Sequence, residues 1–253
     1  MITLKSSHEI DLMRRAGKIT AAARALAGER VRPGVTTQEI DSAVEHFIRK
    51  EGAVPSFLHY NGFPASACIS INDEVIHGIP SKKRFLHEGD IVKVDVGAFY
   101  KGFHGDAART IPVGKVSEEA EKLIKVTRDS FFAGIERFQV GNRLGDIGHA
   151  IDSLVVANGF STVKKYIGHG IGHNLHESPD VPNYGTEGRG TRLCAGMVLA
   201  IEPMVNVGVD SVKELSDGWT VKTADGKLSA HYENTVALTS EGLIVMTQLE
   251  SDF

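Results

Sequence analysis

Displaced by 107 residues, the sequence falls on itself. Glu29-Arg30 lands on Glu136-Arg137, Gly34 on Gly141, Ile40 on Ile147, Gly52 on Gly159 and Gly89 on Gly196, with no gap. Asp95 lands on Glu202, acid on acid, each inside an apolar run. Coincident glycines and aliphatics are cheap. Coincident acids inside apolar runs are not, because a lone buried carboxylate costs several kcal/mol unless it is paired or bound to a cation. Similarity at a fixed period points to a duplicated structural unit. A duplicated α/β unit has its natural ligand site at the seam between its copies.

The local patterns agree with two rounds of helix, helix, strands. Ile10, Met13, Ile19, Ala23 and Leu26 give residues 7–30 helical spacing, and Ser6 with Glu9 has capping-box spacing. After Pro33-Gly34, Thr36 and Glu39 open a second helix with Ile40, Val44, Phe47 and Ile48 on its apolar face, ending near Gly52. Residues 54–113 turn to strands, the strongest over Ile91–Gly97, with a hairpin turn near Tyr100-Lys101-Gly102 and a return through Phe103 to Ile111. Ser117-Glu118-Glu119 starts a third helix, and residues 146–158 form a fourth with Ile147, Ile151, Leu154 and Val155 on one face. Strand-like, glycine-rich sequence follows. No linker separates the rounds. The expectation is an α/β (α+β) fold: one domain over 1–253, with repeated halves of roughly 1–113 and 114–253.

Composition narrows the function. At 42% apolar and 24% charged, 253 residues can build a core without a disulfide or structural metal. A net charge of −4 argues against a dedicated nucleic-acid binder. Cys68 and Cys194 are too few for a disulfide framework and form no Cys-x-x-Cys. The N-terminus lacks a signal-peptide apolar region, and no apolar run approaches a membrane span. The expected setting is cytoplasmic.

Four acids interrupt apolar strands. Asp95 follows Ile91-Val92-Lys93-Val94, and Asp106 lies across the hairpin; a turn centred near Tyr100-Lys101 would set the two directly opposite. Like charges so opposed destabilise a sheet, and a cation between them reverses the sign. Pairing of Asp95 with Lys93 or Arg109 is the plainer alternative. Glu202 breaks Met197–Met204, and Glu233 precedes the strand-like 235–238. A salt bridge could explain one of these acids but not easily four, since the strands around them hold few basic residues. His169 sits among glycines in Gly168-His169-Gly170-Ile171-Gly172, with His176-Glu177 after it, and His77 precedes Gly78-Ile79-Pro80. His8, His46, His59, His87 and His149 have no such context. Two Asp, two Glu and one His make an oxygen-rich ligand set that suits Mn, Fe, Co or Zn. Four carboxylates exceed the need of one ion and suit two, about 3.5–4 Å apart, that activate a bridging water and polarise a carbonyl. No His-Glu-x-x-His, Gly-x-Ser-x-Gly, P-loop or dinucleotide-binding motif occurs.

In that order the five residues resemble the ligand set of the pita-bread metallopeptidases, and within them the type I methionine aminopeptidases. The likeness is carried by Asn72-Asp73-Glu74-Val75-Ile76-His77-Gly78-Ile79-Pro80, Gly102-Phe103-His104-Gly105-Asp106, Gly168 through Glu177, Ile201-Glu202-Pro203-Met204 and Asp217-Gly218-Trp219-Thr220. It implies a pita-bread fold of two pseudo-symmetric halves around an antiparallel sheet. It implies two divalent ions (Co, Mn, Fe or Zn), with Asp95 on one, Asp106 and Glu233 bridging, and His169 and Glu202 completing the second. Glu202 would take the proton from the attacking water, while His77 and His176 would hold the scissile peptide. Tyr60, Phe63, Cys68 and Trp219 would surround the methionine side chain, although Phe63 and Trp219 could equally be plain core. Leu175 stands where some members have Phe, and Ala107-Ala108 where hydroxyl residues are frequent.

The activity so implied is removal of the initiator methionine from nascent proteins when the second residue is small, by a monomer without membrane or specific nucleic-acid partners. Transient ribosome contact could use Ser81-Lys82-Lys83-Arg84, though a solvated loop is the simpler reading of those residues. Two other functions compete. An X-Pro aminopeptidase or prolidase of the same fold would usually carry a long extra N-terminal domain, for which this chain has no room. A metal-free binding protein on the scaffold would not need all five ligand positions filled.

Overall fold

The computed structural model describes residues 2–249; Met1 and residues 250–253, the ends of the expected 1–253 unit, lie outside the described residues. Reciprocal capping boxes, Ser6 with Glu9 and Thr36 with Glu39, start α1 (Ser7–Arg30) and α2 (Thr37–Lys50), satisfying backbone N–H groups that a helix start leaves without partners. Five strands follow: β1 (Val54–Pro55), β2 (Ala67–Ile71), β3 (Glu74–Ile76), β4 (Ile91–Tyr100) and β5 (Phe103–Pro112). Ser117 caps α3 (Glu118–Ile135). Helix α4 (Leu144–Ala157) begins two residues before the expected start, because the Asp146 carboxylate accepts from the Arg143 N–H and fixes the first turn there. Ten short strands complete the chain: β6 (Ser161–Thr162), β7 (Gly168–Gly170), β8 (Glu177–Val181), β9 (Val198–Ile201), β10 (Met204–Asn206), β11 (Val212–Glu214), β12 (Val221–Thr223), β13 (Ser229–His231), β14 (Asn234–Thr239) and β15 (Gly242–Val245).

The offset of 107 reappears in the backbone. Both ends of α4 are those of α2 displaced by 107. The isolated bridges Thr36–Phe85 and Arg143–Arg192 are related by the same step. So are the pairings Val54–Phe99 and Ser161–Asn206, which join β1 to β4 and β6 to β10. The matched glycines all take the left-handed conformation, with φ of 84° and 98° at Gly34 and Gly141, and 91° and 92° at Gly89 and Gly196.

Each helix pair covers the back of its own sheet. Ile19, Ile40, Val44 and Ile48 pack with Val92, Val94 and Val96 of β4. Phe131, Ile147 and Ile151 pack with Leu199 and Ile201 of β9 and with Val236 of β14. Fully burying one such side chain contributes about 1.5–3 kcal/mol. Strands β1, β2, β4 and β5 form one sheet, and β15-β14-β9-β7-β8 form another. Hydrogen bonds at β5 join them: the Glu233 N–H donates to the Ala108 carbonyl, and the Asp106 N–H donates to Thr235 Oγ1.

Two expectations are corrected here. The hairpin turns at Lys101-Gly102, one residue beyond the expected centre, because both residues take positive φ (47° and 90°) and make a tight two-residue turn. Asp95 therefore faces Ala108, and Asp106 faces Gly97. The two acids are diagonal neighbours on one face of the sheet, not direct opposites. The run Met197–Met204 is not continuous either: it breaks at Glu202-Pro203, between β9 and β10. Proline has no N–H to give a ladder, although the Tyr232 N–H still donates to the Pro203 carbonyl.

Candidate metal centre and peptide pocket

Asp95 and Asp106 lie within β4 and β5 and point to the face away from the helices. His169 is the middle residue of β7, and its neighbours explain the glycines. A Cβ on Gly168 would stand 2.3 Å from the Ala200 carbonyl oxygen, and one on Gly170 would stand 2.4 Å from that of Ser178. Only glycine lets β7 pack this closely between β8 and β9. Glu202 and Glu233 occupy the gaps where β9 passes to β10 and β13 to β14. The five residues line one cavity of about 200 Å³, together with His77, His176, Tyr60, Phe63, Cys68 and Trp219. Every site residue expected from the sequence is in that cavity, and Phe57, Asn61 and Leu175 join them.

The cluster is electrostatically unfinished as protein alone. Asp95 Oδ1, Asp106 Oδ1 and Glu233 Oε1 are buried without a hydrogen-bond partner. Burial and then the charge of neighbouring carboxylates push Asp95, Glu202 and Glu233 well above the usual carboxylate range. Burial raises Asp106 to about 7. The Lys93 ammonium is not the partner of Asp95: it is fully buried and donates to the Asn72 carbonyl at 2.7 Å. Ligand atoms of Asp106, His169 and Glu233 all lie within 4.8 Å of one another. Burial holds His169 near 3, so its ring is neutral and able to bind a metal. Orphaned carboxylate oxygens and a neutral imidazole fit divalent cations.

The wall of the cavity is aromatic. Phe63 meets Trp219 edge-on at 5.0 Å between ring centroids. The Asp217 carboxylate accepts from the N–H groups of Trp219 and Thr220 and from the Thr220 hydroxyl, so the Asp-Gly-Trp-Thr stretch is a turn that presents the indole. Cys68 pairs with Asp95 across β2 and β4, and burial and then Asp95 push its thiol upward, keeping it protonated. His77 has a φ of 59°, a strained conformation for a non-glycine residue. Burial and then His176 lower it to about 4. His176 stands at the mouth, its Nδ1 2.8 Å from the Tyr60 hydroxyl and its ring 4.1 Å from that of His169. Arg84, in the basic stretch 81–84, is tied to Glu74 and to the Ile79 carbonyl.

Sequence reasoning passed over His231, a buried ring beside Glu202 and Glu233. The sequence carried no signal for it; its place follows from its register opposite Met204.

Residues 11–240 match the model of metallopeptidase family M24. The chain is 59% identical to a methionine aminopeptidase of Clostridium perfringens, over 99% of this chain and 100% of the relative. The crystal structure of methionine aminopeptidase from Thermotoga maritima is similar with a TM-score of 0.97 at 42% identity, covering 98% of this chain and 100% of that one. Prolidase from Pyrococcus furiosus shares the fold at 24% identity and a TM-score of 0.78, over 98% of this chain and 66% of that one.

Proposed function

The chain belongs to metallopeptidase family M24, with its pita-bread fold, and from that premise we infer that it is a methionine aminopeptidase. The convergence of the five ligand residues with two histidines and an aromatic pocket in one cavity carries the reading. The substrate is the N-terminal peptide of a nascent protein with a small second residue. Divalent ions are used by the family. Here the ligand set would hold two of them, with Asp95 on one, Asp106 and Glu233 shared, and His169 and Glu202 on the other. Bound there, such ions lower the pKa of water and polarise a scissile carbonyl.

The chain's own groups do the rest. The Glu202 carboxylate takes the proton released by the attacking water. His176 Nδ1 lies 2.8 Å from the Tyr60 hydroxyl; in the tautomer in which that hydroxyl donates, Nε2 carries the proton that His176 would offer to the scissile peptide. His77, neutral through burial, offers a second donor where negative charge develops on the carbonyl oxygen. Phe63, Trp219, Cys68 and Tyr60 receive the methionine side chain, whose thioether is favoured by aromatic neighbours. Phe63 and Trp219 line the cavity and also pack in the hydrophobic cluster behind it, so the pocket wall is continuous with the core.

The unit is one catalytic domain of two repeated halves, approximately 1–113 and 114–253, working as a cytoplasmic monomer. Among the described residues no helix is long and apolar enough to cross a membrane. In stretch 81–84 only Lys82 and Lys83 remain to touch a ribosome transiently, since Arg84 is engaged with Glu74.

Stripping the protein with chelator, restoring Mn, Fe, Co or Zn, and timing Met release from a Met-Ala-Ser peptide tests this reading. Release that depends on metal and fails with Met-Leu-Ser and Ala-Pro-Ala peptides is expected. Cleavage chiefly of the Pro peptide would move the chain to the prolidase side of the fold.

A further inference from the structure

His231 is 2% exposed, and neither ring nitrogen has a hydrogen-bond partner. Its Nε2 lies 3.8 Å from Glu202 Oε2 and 3.8 Å from Glu233 Oε2. A buried polar group left without a partner forfeits its hydration with no return, so an imidazole placed this way calls for an explanation.

The strand register supplies one. Asp106 stands opposite Gly97. Met204 lies 107 residues beyond Gly97, and opposite Met204 stands His231. The cross-links between the sheets repeat the relation. The Asp106 N–H donates to Thr235 Oγ1, and that hydroxyl donates back to the Asp106 carbonyl. The His231 N–H donates to Thr110 Oγ1, and that hydroxyl donates back to the His231 carbonyl. His231 thus holds in the second half the place that Asp106 holds in the first, and it faces the same carboxylates. It is not among the residues whose ligand atoms converge, which among the described residues are Asp106, His169 and Glu233.

We propose that His231 is a positioning residue of the metal centre: its Nε2–H holds the Oε2 atoms of Glu202 and Glu233 and so sets the direction in which both carboxylates face their ions. The inference rests on Glu202 and Glu233 being metal ligands. A shift of less than about 1 Å brings either contact to a hydrogen-bond length of roughly 2.7–3.2 Å. Glu202 is then bracketed by two imidazoles, since His169 Nε2 lies 3.6 Å from its Oε1.

The test compares wild type with His231→Gln, His231→Asn and His231→Leu. Gln keeps an N–H at about the reach of Nε2, Asn carries the same group too short, and Leu carries none. Mn binding to the chelator-stripped protein is read by calorimetry, and kcat and KM for Met-Ala-Ser are read separately. Gln is expected within about threefold of wild type, while Asn and Leu lose roughly 10–100-fold in Mn affinity and kcat with KM unchanged. Should Leu fail to fold, the Gln and Asn pair makes the same comparison. Wild-type affinity and kcat in Asn and Leu would overturn the proposal, as would a Gln variant no better than Asn. Loss of one bound ion in any variant would overturn it in favour of direct ligation. Wild-type protein that takes up no Mn would overturn the ligand reading and this inference together, whereas normal Mn uptake by wild type and Asn alike would overturn the inference alone.

Discussion

The first half of the molecule offers its two acids from the middle of long, unbroken strands; the second offers its acids from places where strands stop. Asp95 and Asp106 sit inside ten-residue strands whose register holds at every position from Ile91–Pro112 to Tyr100–Phe103. Glu202 and Glu233 sit in gaps between three- to six-residue strands, and His169 in a strand of three. A regular ladder presents only alternate residues to one face. Two acids can be grouped that way, but a third and fourth approaching from across the seam need the chain to bend. The repeat provides the scaffold twice, and one copy is interrupted to complete the site.

The largest test of that comparison removes charge from the regular half. Asp106→Asn should lower turnover about 100-fold or more with the fold intact, since the carboxylate proposed to be shared by two ions loses its charge. Activity above about a tenth of wild type, measured on Met-Ala-Ser, would show that the second half can hold the centre unaided. His77→Ala should cost roughly 10–100-fold in kcat while Mn uptake is preserved. Loss of metal instead would make His77 part of the ion cluster.

The matched cores come next. Ile40→Ala and Ile147→Ala, 107 residues apart and both fully buried, should each destabilise by about 2–5 kcal/mol in denaturant unfolding. If one costs far less than the other, the two helix pairs do not share the load equally. The seam bonds follow. Thr235→Val and Thr110→Val should each cost roughly 1–3 kcal/mol by orphaning buried backbone groups, with Thr235→Val the more harmful to activity because it frees Asp106.

The smallest effect concerns pH. The acids of the centre ionise at higher pH in the folded, metal-free chain than when unfolded, with Asp106 moving from 3.8 to about 7. Between those values the folded state binds more protons, so stability falls as pH rises. The Tm of chelator-treated protein should therefore decline from pH 5 to pH 7.5, and saturating Mn should flatten the decline. A metal-free Tm that rises over this range would contradict the picture of mutually repelling acids.

Much of this was legible in the sequence, for reasons that differ by region. Capping boxes at Ser6-Glu9 and Thr36-Glu39 are local, so α1 and α2 could be placed within a residue or two. The four acids stood out because they violate apolar strand patterns, and His169 because of the glycines around it. What escaped was register. Whether the turn centres on Tyr100-Lys101 or on Lys101-Gly102 depends on which residues accept positive φ, and composition does not decide it when the three adjoin. His231 escaped for another reason: a histidine in a mixed strand violates no pattern, and only the pairing of Met204 with it reveals its partner position.

The seam also fixes a timetable. The ligand set spans Asp95 to Glu233, with His169 and Glu202 between them. During synthesis at about 5–20 residues per second, roughly 6–25 s pass between Asp106 and Glu233 leaving the ribosome. His169 and Glu202 emerge partway through that interval, so until Glu233 appears the finished β4–β5 hairpin carries two neighbouring acids without the full set of the second half's donors. Metal capture by the complete set of proposed ligands is thus a late event in the life of the chain, and an enzyme that trims newborn proteins becomes competent only near the end of its own synthesis.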